Sequence, residues 1–294
     1  MQLSKHPIRS LMAAAIALAA LPAMAGENPY SKAVFFGDSL TDAGYFRPLL
    51  PEATQGLSGQ FTTNPGWVWS QQVANYYGLN KDPNGNGQNG DNYAVGGARV
   101  SVEGSGALGA IPSLKSQAAR YLAANGGKAD RNALYTVWGG ANDLFAAAGA
   151  AGAGAPPAQV QGIIGAAVTD QIALVGALKQ AGAQYVLVPN LPDVGITPQF
   201  RGPNAAAATA MSVGYNKALY GGLKQAGIEF IPLDTFSILR EVTANPGMYG
   251  FTNVTGTACK INPANTTGSI IGCNPTTYVS PDAVSYTHLR AHET

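Results

Sequence analysis

The sequence predicts an α/β protein, a three-layer α/β/α arrangement in which a five-stranded parallel sheet carries helices on both faces. Three observations lead there. Short β-branched and aromatic runs alternate with longer segments of helical spacing, the pattern of strands joined by helical crossovers. Each run stops at glycine or a small polar residue, as buried parallel strands do where the chain turns at the sheet edge. The chain has 294 residues, 46% of them hydrophobic and 11% charged, enough apolar content for one large domain or two small ones, and with no repeat or linker in the sequence one domain is expected.

Residues 32–36 form the first strand, and it ends at Gly37-Asp38-Ser39. Residues 46–59 form a loop punctuated by proline and glycine. Asn64-Pro65 has the pattern of a helix start, with Trp67, Trp69, Val73, Tyr76 and Tyr77 as a core-facing aromatic face and Gly78 as its stop. Residues 80–90 are polar and glycine-rich, a surface loop. Residues 91–98 give a short strand closing on Gly96-Gly97, a pair that lets backbone N–H groups approach a ligand. A helix is expected over 113–124, ended by Gly126-Gly127, and a strand over 133–138 that runs into Gly139-Gly140-Ala141-Asn142-Asp143. Residues 146–158 are almost all Ala, Gly and Pro and read as a mobile low-complexity loop. A helix over 159–180, a strand over 184–189, a helix over 204–225 and a fifth strand over 228–233 complete the series.

The ends of the chain are of a different kind. Lys5 and Arg9, the apolar run 11–21 and Ala23-Met24-Ala25 make residues 1–25 a secretory signal peptide, far shorter in its apolar part than the roughly 20 residues of a membrane span. Its removal takes the formal net charge from +1 to −1, because Lys5 and Arg9 leave and no acid does. No basic run points to nucleic acid. The protein is expected outside the cytoplasm, at the cell surface or beyond it, with the periplasm as the other destination. Cys259 and Cys273 are the only cysteines, and in an exported chain they are expected to form one disulfide. The pair offers too few ligands for a metal site, and no cofactor is expected.

Gly104-Ser105-Gly106-Ala107-Leu108-Gly109 matches the dinucleotide pattern G-x-G-x-x-G, with Asp130 at about the right distance beyond it. The setting argues against nucleotide binding, since 99–103 is a weak strand and Pro112 interrupts the stretch after the last glycine.

The chemistry points to the strand ends instead. Ser39 leaves a strand, and a helix opening at Asp38 and Ser39 would place its hydroxyl near unpaired N–H groups and a positive dipole end, which lowers the cost of an alkoxide. The turns at Ser39, Gly96-Gly97 and Asn142 all lie at the carboxyl edge of the sheet, where open α/β sheets bind ligands. An acyl-transfer site needs a nucleophile, donors aimed at the developing oxyanion and a base. Ser39, the N–H of Gly97 and the side-chain amide of Asn142 supply the first two.

Gly37-Asp38-Ser39-Leu40, the glycine block at Gly97 and Gly140-Ala141-Asn142-Asp143 resemble, in order, the first three signature blocks of the GDSL, or SGNH, hydrolases. Asn190-Leu191-Pro192-Asp193-Val194-Gly195 and Leu233-Asp234-Thr235-Phe236 resemble the autotransporter esterase branch in particular. The resemblance implies a flavodoxin-like sheet, a secreted carboxylic-ester hydrolase of esterase or lipase type, Ser39 as nucleophile, and an oxyanion hole made by its own N–H, Gly97 and Asn142. It implies that Asp38 and Asp143 fix their turns. A small-molecule or lipid ester is the expected substrate, and a monomer is expected. The family's last block, D-x-x-H, holds the base and the acid that orients it. Three histidines occur: His6 in the signal peptide, and His288 and His292, which are preceded three residues earlier by Ser285 and Leu289. The catalytic base and its acid are therefore unassigned. The family domain is expected over 26–283, incomplete at its carboxyl end, with residues 284–294 as an unrelated tail and the membrane β-barrel of the autotransporter branch missing. His288 oriented by Asp282 is the competing source of a base. The other function that the same pocket could serve is binding of a lipid or glycan without turnover.

Overall fold

The strand Ala33-Val34-Phe35-Phe36-Gly37 is buried along its whole length, as a β-branched and aromatic run must be when helices cover both faces of a parallel sheet. The computed structural model describes residues 28–52, 56–200, 202–256, 258–259 and 270–277. In chain order these form strand β1 (Ala33–Gly37), helix α1 (Trp69–Tyr76), the small strands β2 (Asn84–Gly85), β3 (Gln88–Asn89), β4 (Gly104–Gly106) and β5 (Gly109–Ile111), then α2 (Leu114–Ala124), β6 (Leu134–Trp138) and α3 (Ala141–Gly152). They continue with α4 (Pro157–Gln180), β7 (Tyr185–Pro189), α5 (Ala205–Gln225), β8 (Ile231–Leu233) and α6 (Thr235–Ala244).

The main sheet has the order β1-β6-β7-β8, every pair parallel, with Gly37 opposite Trp138 and Pro189 opposite Leu233 at its carboxyl edge. The strand expected over 91–98 runs along the other side of β1. There Phe35 N–H donates to Asp91 O (3.1 Å), Tyr93 N–H to Phe35 O (2.8 Å) and Val95 N–H to Gly37 O (3.1 Å). That is the slanted pattern of a parallel pair. Between β1 and this segment the Phe35–Asn92 contact alone forms a regular bridge, so among the described residues the sheet has four full strands and a fifth extended segment, 91–95.

β1 divides the core. Val34 and Phe36 face the larger side, where Tyr121 of α2, Leu174 and Leu178 of α4 and Leu219 of α5 pack with Tyr135, Val137 and Val188. Ala33 and Phe35 face the smaller side, against Val73 and Ala74 of α1, with the Phe35 and Trp69 rings edge to face at 5.8 Å. The buried residues of α4 (Ile164, Ala167, Val168, Gln171, Leu174, Val175, Leu178) recur at three- and four-residue intervals, which puts them on one stripe.

Several expectations are corrected. The stretch 146–158 is not a mobile loop: most of it belongs to α3, since alanine is the best helix former and Leu144 and Ala147 are buried against the core. α1 begins at Trp69 rather than at Asn64-Pro65. The Asn64 side chain is committed elsewhere, donating to Gln60 O and Cys273 O, while Gln71 Oε1 accepts the Val68 N–H in front of the helix. Its aromatic face is also less buried than expected, with Trp67 41% and Tyr76 76% exposed. The loop 80–90 contains the β2–β3 hairpin, with Asn86 left-handed at its tip. The G-x-G-x-x-G stretch is the β4–β5 hairpin and opens no helix at its last glycine. α6 lies in a stretch where the sequence pattern signals no element, and Asp234 caps it by accepting the Ser237 N–H.

Cys259 and Cys273 are joined in a disulfide, with Cα atoms 5.6 Å apart and both side chains buried. The second cysteine sits in a segment docked on the 59–64 loop: Gly59 N–H donates to Ile271 O, and Asn64 N–H and Nδ2 both donate to Cys273 O. The segment read as a signal peptide, Asp282 and the three histidines lie outside the described residues.

Candidate active site

β1 ends where a side chain would no longer fit. A Cβ on Gly37 would stand 2.8 Å from both Thr41 Oγ1 and Trp138 O. The buried Gln117 amide completes the strand end, its Oε1 accepting the Gly37 N–H and its Nε2 donating to Gly37 O, each at 2.9 Å. The chain then makes a single tight turn. Asp38 O accepts the N–H groups of Thr41 and Asp42, and the Asp38 carboxylate accepts that of Leu40 (3.0 Å). Ser39 sits in this turn, 3% exposed. The helix expected to open there does not form. Asp42 Oδ1 accepts the N–H groups of Gly44 and Tyr45, which would otherwise continue it, and Gly44 is left-handed at φ +122°. Ser39 therefore has one turn of local N–H groups around it rather than a helix dipole.

The glycine pair makes a second turn beside the first. Ala98 N–H donates to Val95 O, enclosing Gly96 and Gly97, and Gly97 has φ +85°, the left-handed third position of a type II turn. A turn of this kind uses neither of its two inner N–H groups in its own hydrogen bond. That of Gly96 goes to Asp42 Oδ2 at 2.7 Å. That of Gly97 has no acceptor among the described residues, and Gly97 is half-buried.

The third turn joins β6 to α3. Gly140 precedes the helix at φ +108°, and a Cβ there would meet the Tyr215 hydroxyl at 2.4 Å. Asn142, 4% exposed, donates from Nδ2 to Ala98 O at 2.7 Å. An amide carries two N–H bonds, and this contact uses one. Asp143 reaches further along the same loop, accepting Arg99 Nε (2.9 Å) and Val100 N–H (3.0 Å). The structure thus puts the Ser39 turn, the glycine turn and the Asn142 turn at one sheet edge, and ties the glycine turn to each of the other two.

A family model described as GDSL-like Lipase/Acylhydrolase matches residues 34–290. The chain belongs to the GDSL-like lipase/acylhydrolase family. It is 33% identical to an uncharacterized protein in the trpE-trpG intergenic region of Pseudomonas putida, across 93% of this chain and 48% of that one. It is 33% identical to Esterase EstA of Pseudomonas aeruginosa, across 81% of this chain and 42% of that one. The chain spans about half the length of these relatives. Among solved structures, an acetyl xylan esterase (AlAXEase) aligns with a TM-score of 0.39 at 14% identity, over 74% of this chain and 84% of that one.

The GDSL-family turn of this chain stands on buried acids. Burial, with the charges of Asp143 and Asp42 added to it, pushes the Asp38 carboxyl up to about 7 against the pull of the Leu40 N–H. Burial raises Asp42 to about 6, opposed by its three N–H donors and by Arg47. Asp143 is also raised by burial, with the Val100 N–H and Arg99 opposing. Tyr215, under Gly140, is held well above the ordinary phenol range by burial and by Asp143, Asp38 and Asp170.

The stretches 190–195 and 233–236 meet at the ends of β7 and β8. Asn190 Nδ2 donates to Asp234 Oδ1, and Asn190 Oδ1 accepts the Phe236 N–H. Asp193 accepts Gly195 N–H, Thr209 Oγ1 and Arg240 Nη1, the last at 2.7 Å. The sequence pattern assigns no role to Asp42 or Arg99. Asp42 stands three residues after Ser39, but spacing alone does not separate an acid that caps its own turn from one that grips a neighbouring turn.

Proposed function

We propose that this chain is a carboxylic-ester hydrolase working through an acyl-enzyme on Ser39. Ser39 Oγ attacks the ester carbonyl carbon, and the carbonyl oxygen takes up negative charge opposite the N–H of Ser39, the N–H of Gly97 and Asn142 Nδ2. The carbonyl carbon's bond to the alkoxy oxygen breaks, the proton lost by Ser39 ends on that oxygen so that it leaves as the alcohol, and water then cleaves the acyl-Ser39 ester to the carboxylic acid and free Ser39. The observation that carries this reading is the Asn142–Ala98 hydrogen bond of 2.7 Å, which sets an uncharged donor beside the turn whose Gly97 N–H is left over. Asp38 and Asp143 brace the turns.

Export by the 1–25 segment and placement in the autotransporter esterase branch belong to the same proposal. The support for the branch is that 190–195 and 233–236, the blocks that resemble it, are bonded to each other through Asn190. The base is not assigned. Neither His288 nor His292 has an aspartate three residues before it, and we propose that the chain turns esters over slowly for that reason.

The test is prolonged exposure of the whole chain to a fluorophosphonate, followed by peptide mass spectrometry. Labelling at Ser39 that is absent in Ser39→Ala supports the hydrolase. A Ser39 that stays unlabelled while the protein still retains lipid or glycan would overturn it in favour of a binding protein. A panel of p-nitrophenyl esters of increasing chain length then assigns the acyl preference.

A further inference from the structure

We infer that Asp42 is a positioning residue for the oxyanion hole: its carboxylate fastens the Ser39 turn to the Gly96-Gly97 turn and thereby aims the Gly97 N–H at the reacting oxygen. The inference rests on the ester-hydrolase reading above.

Asp42 belongs to the nucleophile's own turn, since its N–H donates to Asp38 O, so it is held rigidly with respect to Ser39. Its side chain is fully buried and makes three hydrogen bonds of 2.7 Å, each from a backbone N–H. Two come from Gly44 and Tyr45 and fix the carboxylate plane. The third comes from Gly96, 54 residues away. Hydrogen bonds to an ionised acceptor are short and about twice as strong as neutral ones, so this is a firm contact between the two turns, beyond the backbone bonds that pair β1 with the segment 91–95 behind them.

The geometry of the glycine turn gives the contact its consequence. Gly96 and Gly97 are consecutive, so anchoring the Gly96 N–H fixes the peptide plane in front of it and sets the path into the next one, which carries the Gly97 N–H. The turn is closed on its own other side by Ala98 N–H to Val95 O and braced from α3 by Asn142 at Ala98 O. Val95 N–H to Gly37 O and Asn92 Nδ2 to Thr41 O join the segments that lead into the two turns, and Asp42 is the hold from the nucleophile's turn that grips an inner N–H of the glycine turn itself. The approach is close enough that a Cβ on Gly96 would stand 2.1 Å from the Phe61 ring. Displacements near 1 Å in a reacting constellation cost on the order of a hundredfold in rate. Arg47 is the cation facing Asp42, and Asp38 is the neighbouring acid.

Asp42→Asn is the informative change because it keeps the shape. Its amide has one oxygen, so either the Gly44 and Tyr45 pair or Gly96 faces an NH₂ instead of an acceptor. The whole chain and Asp42→Asn are compared in p-nitrophenyl butyrate turnover, in thermal melting and in backbone amide hydrogen exchange. Expected are a kcat lowered tenfold to a hundredfold, a KM within twofold, and exchange at Gly96 accelerated while β1 stays protected. A general loss of structure would move melting and KM together and speed exchange in β1. An unchanged kcat with a folded variant overturns the inference. If Asp42→Asn does not fold, the unaltered chain decides by itself: a Gly96 amide exchanging as fast as an exposed loop overturns the tie, and one as slow as β1 supports it. A chain that neither turns over the ester nor labels at Ser39 condemns the hydrolase reading instead, and the exchange result stands apart from that failure.

Discussion

The Asn142 side chain donates to the carbonyl of Ala98, the residue that follows Gly97, across 2.7 Å. One amide N–H is therefore a brace, and the other is the proposed oxyanion donor. If the proposed hydrolase works without a general base, the rate that survives comes from the oxyanion hole and from binding. Asn142→Ala is expected to lower the kcat of that residual turnover by about a hundredfold with little change in KM, because the donor acts chiefly in the transition state. Steady-state kinetics at high enzyme concentration measure it. Equal kcat values would remove Asn142 from the mechanism.

The buried acids predict a pH dependence of stability. Asp38 titrates near 3.8 when unfolded and at about 7 in the fold, where burial disfavours its charge. Between those values the folded protein holds a proton that the unfolded chain has lost. The stabilisation is complete below about 4 and disappears as pH rises through about 7. Asp42 adds a contribution of the same sign, ending at about 6. Asp38→Asn keeps an oxygen for the Leu40 N–H and carries no charge to bury. It is expected to melt higher than the unaltered chain at pH 8 and at nearly the same temperature at pH 4.5. Thermal melts across this range check it, and parallel curves for the two proteins would refute it.

Much of this architecture is legible in the sequence. The strands at 33–37, 134–138 and 185–189 are runs whose burial on both faces leaves little choice but Val, Leu, Tyr and Phe, so composition alone marks them. α3 reads as a loop because alanine and glycine carry no hydrophobic periodicity. What makes the segment helical is its inherent propensity and the packing of Leu144 and Ala147, and the second of these is a tertiary fact. At the site, Ser39, Gly97 and Asn142 can be named because each comes after a strand. Asp42 cannot, since its decisive partner, Gly96, lies 54 residues away and is joined through a backbone N–H that no side-chain pattern records.

The disulfide predicts a measurable share of stability. It closes a loop with a sequence separation of 14 and anchors the segment that docks on Gly59 and Asn64. In the chain-entropy model a loop of about 15 residues is worth roughly 3 kcal/mol. Reduction, or Cys273→Ser, should lower the melting temperature clearly, and alkylation under non-reducing conditions should find no free thiol. Two alkylated cysteines in protein from an oxidising compartment, or identical melts with and without reductant, would contradict the pairing.

The last prediction concerns the base. A serine hydroxyl is a weak nucleophile until a neighbouring group takes its proton, and a triad lacking its histidine falls by several orders of magnitude. This chain has three histidines. His6 lies in the segment read as a signal peptide, and His288 and His292 come after Ser285 and Leu289 at the spacing where the family pattern has an aspartate. An unoriented imidazole does not hold the tautomer and direction that general-base catalysis needs, which is why removal of the orienting acid alone costs about 10⁴ in a serine triad. Turnover of p-nitrophenyl butyrate by the whole chain is therefore expected to be slow and to stay at the same level in the His288→Ala, His292→Ala double variant. The competing arrangement, His288 oriented by Asp282, makes the opposite forecast. Fast turnover that vanishes in the double variant, and falls steeply in Asp282→Asn with a displaced acid limb in the pH profile, would place the base in that segment and overturn the expectation of a slow enzyme.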